Sequence, residues 1–258
     1  MKKAELLRRS ALVLVLCLGV AGCSNYPTGN GESKIVADST YDPLERVNRV
    51  TFDVNDFLDR LLFKPLAELY RFFTPTYLRD RVSGIFSDMN EPVVFGNSLM
   101  QGRLNDAGVS LGRLVVNSTV GVGGMWDIAG KYLGWPAKTA DFGQTLHSWG
   151  LGQGPYIVLP LFGSSTLRDG IGMGVDTVMS PWGYISKLGP HSTSSAYTYT
   201  STGVGALVKR EQHIDDLEKL RAGSIDFYAQ MRSVYLQYRN KQLGISVPTP
   251  ALDSYDEK

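Results

Sequence analysis

Apolar side chains return at every third or fourth position along much of this chain. From Leu44 they run Leu44, Val47, Thr51, Val54, Leu58 and Leu61, while Glu45, Arg46, Arg49, Asp53, Asp56 and Arg60 take the other side. That spacing predicts an amphipathic helix. Pro65 starts or kinks a second segment, in which Leu66, Leu69, Tyr70 and Phe73 share a side. Val82, Ile85, Phe86 and Met89 predict a third helix, and Leu99, Leu104, Leu111, Leu114 and Val115 a fourth. A C-terminal helix is predicted from about Lys209 to Leu243, with Ile214, Leu217, Leu220, Ile225, Tyr228, Met231 and Tyr235 at helical spacing. The class is mainly α. On periodicity alone, each stripe reads first as the core face of a soluble bundle and second as a face laid against a membrane.

The middle of the chain breaks the pattern. Residues 121–174 hold 13 glycines in 54 positions, where an average composition gives about four. Glycine at this density weakens long helices. The segment is nevertheless apolar and aromatic, with Trp126, Phe142, Trp149, Tyr156, Ile157, Leu159, Leu161 and Phe162. An irregular yet oily stretch is expected there, an unusual pairing for a surface loop.

The first 22 residues are of another kind. Lys2, Lys3, Arg8 and Arg9 precede the run ALVLVLCLGVAG, which has the flanks and length of a signal-peptide core and is too short to span a bilayer. It ends in Val20-Ala21-Gly22-Cys23, which resembles the lipobox of bacterial lipoproteins, so residues 1–22 are expected to be removed and Cys23 to carry lipid. Ser24 stands where an aspartate would favour the inner membrane, and the outer membrane is the expected address. Residues 23–40 then read as a lipidated flexible tether with a reach of ~20–25 Å, residues 41–243 as the folded domain and residues 244–258 as a disordered tail.

Charge and cysteine usage narrow the chemistry. The chain is +1, and residues 1–22 hold four basic and one acidic side chain, which leaves 1 − 3 = −2 for the rest. That balance provides no footprint for nucleic acid. With Cys17 removed and Cys23 acylated, no thiol nucleophile or disulfide is expected. His147, His191 and His213 fit no zinc spacing, and no cofactor or metal is expected. The glycines miss the spacings of dinucleotide and phosphate loops, and G-x-S-x-G is absent. A hydrolase site from Ser164 or Ser165 with His147 and Asp169 stays open as a minor alternative, because a triad is defined by geometry. Arg168-Asp169 reads as a helix start or a local ion pair.

Five segments carry a family resemblance: DPLERVNRVTFDVNDFLDRLLFKPLAELYR (42–71), NEPVVFGNSLMQG (90–102), LGRLVVNSTVGVGGMWDIA (111–129), DFGQTLHSWGLGQGPYIVLPLFGSSTLRDG (141–170) and FYAQMRSVYLQYR (227–239). In order and over nearly the whole domain they resemble the MlaA/VacJ outer-membrane lipoproteins. Residues 189–205, rich in Ser, Thr and Tyr, depart from the family pattern and leave the fold of 185–208 open. Gly163-Ser164-Ser165 departs less, with serine where proline is common.

The resemblance implies a ring-like arrangement of amphipathic helices in the inner part of the outer membrane, with the Gly-rich segment around a central amphipathic channel. Mislocalised phospholipid would leave the outer leaflet through it, beside a trimeric porin, and pass to a periplasmic lipid carrier of an ABC transport system. The function implied is transport, not catalysis. The physical logic is independent of the likeness. A diacyl lipid in water exposes ~30 methylenes at ~0.8 kcal/mol each, ~25 kcal/mol in all, so its tails must stay covered. Non-helical backbone at membrane depth is tolerated only inside protein or around a wet cavity. Trp126, Phe142, Trp149, Tyr156, Ile157, Leu159, Leu161 and Phe162 are therefore the candidate lipid-contacting residues. A lipoprotein phospholipase and a porin-associated scaffold are the alternatives.

Overall fold

Two asparagines seven residues apart on one face of a helix do for this fold what an extra strand would do elsewhere. The computed structural model describes residues 42–181 and 203–245, all within one unit spanning Ser39–Lys258. Its first helix, α1 (Glu45–Leu58), runs through a five-residue π turn (Asp59–Phe63) into α2 (Lys64–Phe73). In that turn Lys64 N–H reaches back five residues to Asp59 O, and Pro65, next in line, has no N–H to restore the tighter ladder. Asn48 and Asn55 face away from the apolar side of α1. Asn48 donates to Tyr156 O and accepts from Val158 N–H, and Asn55 donates to Leu159 O and accepts from Leu161 N–H. The free edge of a strand is thereby satisfied by side chains of a helix.

That strand is β1 (Tyr156–Leu159), paired antiparallel with β2 (Gly163–Thr166) in a register that sets Tyr156 against Thr166 and Leu159 against Gly163. Helix α3 (Thr76–Met100) is a single element of 25 residues that contains both the predicted third stripe and Leu99. It folds back through Gln101, Gly102 and Arg103 into α4 (Leu104–Thr119), with Gly102 at φ +72°. Asp88 meets Ser118 and Glu91 meets Arg113, so the two helices run in opposite directions.

The glycine-rich middle is more regular than its composition suggests. It holds α5 (Ile128–Leu133), α6 (Phe142–Ser148), the hairpin and α7 (Leu167–Met179). Short helices survive here because each has a cap: Asp127, Asp141 and Thr166 accept the N–H groups of Gly130, Gln144 and Asp169. The glycines serve close approach. A Cβ on Gly84 of α3 would lie 2.3 Å from Gly124 O, in a turn where Val122, Gly123 and Gly124 all have positive φ.

At the C-terminal end, one predicted helix is three. Residues 203–212 are helical, followed by α8 (Ile214–Gly223) and α9 (Phe227–Gln242), and Asp226 caps α9 through Ala229 N–H. A small aromatic core forms where Tyr156, Val158 and Tyr228 are buried against Phe52 and Tyr235. The signal peptide, Cys23, the tether, residues 185–202 and the tail beyond residue 245 lie outside the described residues.

Candidate functional site

Outside the small aromatic core, much of the interior is polar, and large apolar side chains crowd the exterior. Among the described residues, the largest fully buried side chains are Asn97, Thr145, Thr166, Ser98, Ser110 and Ser165. The α3–α4 interface buries Asp88, Glu91, Arg113 and Asn117. On the outside, α1 exposes Val47, Val50, Val54 and Phe57, and the π turn exposes Leu61; Phe72 and Phe73 of α2 are 80% and 74% exposed, and Leu104 and Val115 of α4 are exposed too. The core-facing reading of these stripes is therefore overturned: in α1 the face that packs inward carries Asn48, Phe52, Asn55 and Asp56, while Glu45, Arg46 and Asp53 are exposed. A protein in water rarely shows so extensive an apolar surface. Among the described residues no helix is long and apolar enough to cross a membrane.

A cavity of about 320 Å³ opens beneath the inner face of α1, at the low end of the range for ligand pockets. Its floor and walls come from three places: Phe52, Asn55, Asp56, Asp59 and Phe63 from α1 and the π turn; Leu161, Phe162 and Ser164 from the hairpin; and Arg210, Leu217, Arg221, Phe227 and Met231 from the C-terminal helices. Apolar surface is crossed by one charged strip. Arg210 forks onto Asp59, with Nε at 2.5 Å from Oδ1 and Nη2 at 2.9 Å from Oδ2. Arg221 donates to Asp56 and, at 2.7 Å, to Glu218, and its guanidinium lies 4.9 Å over the Phe227 ring. Leu161, at the hairpin tip, has φ +66° and is held there by its N–H bond to Asn55. A bulky residue in the left-handed region is uncommon and persists only where its surroundings enforce it.

The eight candidate residues do not share one site. Leu161 and Phe162 line the cavity, 64% and 67% exposed. Tyr156 is buried in the aromatic core, a packing residue whose hydroxyl donates to Ser164 at 2.8 Å. Ile157 and Leu159 are half-buried and lie near Gly170 of α7. Phe142 meets Trp149 edge-on at 5.7 Å, and Trp149 Nε1–H donates to Met100 O. Trp126 sits at the glycine turn beneath Arg81, 5.3 Å from its ring. The charged lining residues Asp56, Asp59, Arg210 and Arg221 were absent from the expectation; their only signal was the spacing of Asp56 and Asp59, three residues apart at the end of α1 and the start of the π turn.

The serine and histidine do not form a hydrogen-bonded relay. Ser165 is buried and donates to Thr166 O, while Ser164 receives Tyr156. His147 Nδ1 contacts Arg168 Nη1 at 3.4 Å, and burial together with the cationic Arg168 and Arg239 lowers its pKa. Asp169 is occupied by Arg239, Tyr235 and Arg168. Burial pushes this carboxyl up, but the two arginines and the tyrosine hold it below the usual carboxylate range. Arg168-Asp169 is at once an ion pair and the first turn of α7.

Fold and surface define a class before they define a family. A solved structure, described as the structural basis for maintenance of bacterial outer membrane lipid asymmetry, superposes with a TM-score of 0.66 at 31% identity, covering 79% of this chain and 99% of that one. The class is thus a mainly α protein of that fold, with a polar interior and an apolar exterior.

The chain belongs to the MlaA lipoprotein family, whose model matches residues 40–242. The intermembrane phospholipid transport system lipoprotein MlaA of Escherichia coli K12 is 32% identical over 234 residues, covering 90% of this chain and 86% of that protein. Its Haemophilus influenzae namesake is 31% identical over 238 residues, covering 90% and 88%. An uncharacterized Rickettsia conorii protein is 38% identical over 145 residues, and the match spans 57% of that protein's length.

Proposed function

We propose that this chain is an outer-membrane lipoprotein, anchored through Cys23 on the periplasmic side. It withdraws mislocalised phospholipid from the outer leaflet through a channel and passes it to a periplasmic carrier, which maintains lipid asymmetry. The observation that carries the reading is the inverted packing, with Asn97, Ser98, Arg113 and Asn117 inside and Phe57, Phe72, Phe73 and Val115 outside. Such a body is stable when hydrocarbon covers its exterior, and it offers a lipid headgroup polar surroundings that the bilayer does not. Leu161 and Phe162, with the cavity they line, are where we assign contact with lipid during passage. Trp126, Phe142, Trp149, Ile157 and Leu159 stay in the proposal as flanking contacts, and a trimeric porin and an ABC-type carrier stay in it as partners. The names borne by the relatives, intermembrane phospholipid transport, support the same reading.

Deleting the gene in its host and labelling surface-exposed aminophospholipid tests it. Outer-leaflet phospholipid should rise and fall again when the chain is restored. An outer leaflet that is unchanged by deletion contradicts the proposal.

A further inference from the structure

The ion pairs of the cavity leave donors over. Arg210 spends Nε and Nη2 on Asp59, and Arg221 spends Nη1 on Glu218 and Nη2 on Asp56. Arg210 Nη1 and Arg221 Nε are buried with no hydrogen-bond partner in the protein. The Arg210 side chain is only 9% exposed. A buried donor on a charged group is expensive to leave unmade, and an anionic oxygen is what satisfies it best. Both arginines line the same cavity and converge on one carboxylate: Asp59 Oδ2 lies 2.9 Å from Arg210 Nη2 and 3.7 Å from Arg221 Nη2. The two guanidinium groups therefore lie at the same end of that cavity, on either side of Asp59. Asp56, Asp59 and Glu218 engage the other nitrogens of these guanidinium groups, so the spare donors accept an anion without any of those bonds breaking.

The surroundings select the kind of anion. Phe52, Phe63, Leu217, Phe227 and Met231 line the same space, and a small hydrophilic anion gains nothing from them. An anion that carries hydrocarbon gains from both. We propose that Arg210 and Arg221 form a subsite for the phosphodiester of a phospholipid headgroup, received through Arg210 Nη1 and Arg221 Nε, with Asp56 and Asp59 as resident counter-ions. This assignment rests on the lipid-passage reading and adds to it the group that is gripped.

The test uses the full-length lipoprotein, purified in detergent and titrated separately with phosphatidylethanolamine, with diacylglycerol of the same acyl chains, and with inorganic phosphate. The wild-type chain should bind phosphatidylethanolamine about tenfold or more tightly than diacylglycerol, the gain expected from charge-assisted hydrogen bonds. The double variant Arg210→Gln/Asp59→Asn removes both charges of one pair together, which leaves neither buried alone. It should lose about tenfold in phosphatidylethanolamine affinity and keep its affinity for diacylglycerol. Should that variant melt early, Arg221→Lys carries the test: it keeps a cation near Asp56 but has no Nε, and it should show the same selective loss. Equal wild-type affinity for the two lipids, or undiminished phosphatidylethanolamine binding in a folded variant, overturns the subsite. Inorganic phosphate binding as tightly as the phospholipid reassigns the site to a free anion and also overturns it. Binding of neither lipid is a different failure, since it removes the lipid-passage reading itself.

Discussion

Arg113 Nε donates to Glu91 Oε1 across 2.6 Å inside the α3–α4 interface, and each side chain is 4% exposed. The guanidinium also reaches Trp135 O at 2.7 Å and Asp127 at 3.1 Å, so it ties α5 and its following loop to the helix pair. Glu91→Gln leaves that cation with its weaker partners and should destabilise the protein by about 3 kcal/mol. Replacing both residues by Leu and Met should recover most of the loss, because a buried pair gains little over apolar packing. Thermal unfolding of the single and double variants in detergent checks this, and equal melting of the wild type and Glu91→Gln would contradict it.

Asn48 and Asn55 should act as separate clips on β1. Asn48→Ala strands Tyr156 O and Val158 N–H in a buried setting and should cost about 2–3 kcal/mol. Asn55→Ala frees Leu159 O and Leu161 N–H nearer to solvent, where water replaces part of the loss, and should cost about 1 kcal/mol. Hydrogen exchange should rise at Val158 in the first variant and at Leu161 in the second. Unchanged exchange at these amides contradicts the clip.

Gly84→Ala and Gly124→Ala test the close approach of the glycine turn to α3. A methyl on Gly84 meets backbone, and one on Gly124 would lie 2.4 Å from Asp88 Cβ at φ +84°. Both should destabilise, Gly124→Ala by about 2 kcal/mol or more because the left-handed backbone adds its own penalty. Gly108→Ala, in open space on α4, should be neutral or stabilising by up to about 1 kcal/mol. Melting temperatures for the three rank the idea, and a Gly108→Ala that melts lowest contradicts it.

Acid should first stabilise the protein and then unfold it. Burial pushes the carboxyls of Asp88 and Asp176 above their ordinary value of 3.8. For such groups the folded chain binds protons more tightly than the unfolded one, so stability grows as pH falls through the raised values. Asp106, held low by Lys138, and Asp169, held low by Arg239 in spite of burial, act in the opposite sense. Their contribution is present above about 3.8 and is lost as pH falls through their depressed values. The melting temperature should rise on titration from neutral towards the ordinary carboxylate range and fall below it, and Asp88→Asn should flatten the rise. A monotonic fall from pH 7 contradicts the assignment.

Much of this is legible in the sequence, and the gaps have physical causes. The 3.6-residue period found α1 to α4 because both a soluble core and a bilayer demand it; which side of α1 faces outward is a sign that periodicity does not carry. Asn48 and Asn55 were signals of that sign, short amides on the polar face suited to clipping backbone. Alternation in a four-residue strand places Tyr156 and Val158 on its buried side and Ile157 and Leu159 on the other, a division the list of candidate contacts does not draw. Glycine density argued against helices in residues 121–174, but local caps at Asp127, Asp141 and Thr166 outweighed it. The Arg210–Asp59 and Arg221–Asp56 pairs join residues more than 150 positions apart, and only the three-dimensional path brings them to one cavity.

The central claim is that the apolar exterior lies in hydrocarbon. Single cysteines placed at Val54, Phe72 and Val115, and at Asp215 and Lys219 as controls, in a chain with Cys17 and Cys23 replaced by serine and reconstituted into vesicles, can carry nitroxide labels for accessibility measurements. The account predicts that the first three are reached by dissolved oxygen and shielded from a water-soluble relaxant, and that the two controls behave in the opposite way. Water access equal at all five positions, or a chain that leaves the vesicles once its acyl anchor is gone, would contradict it.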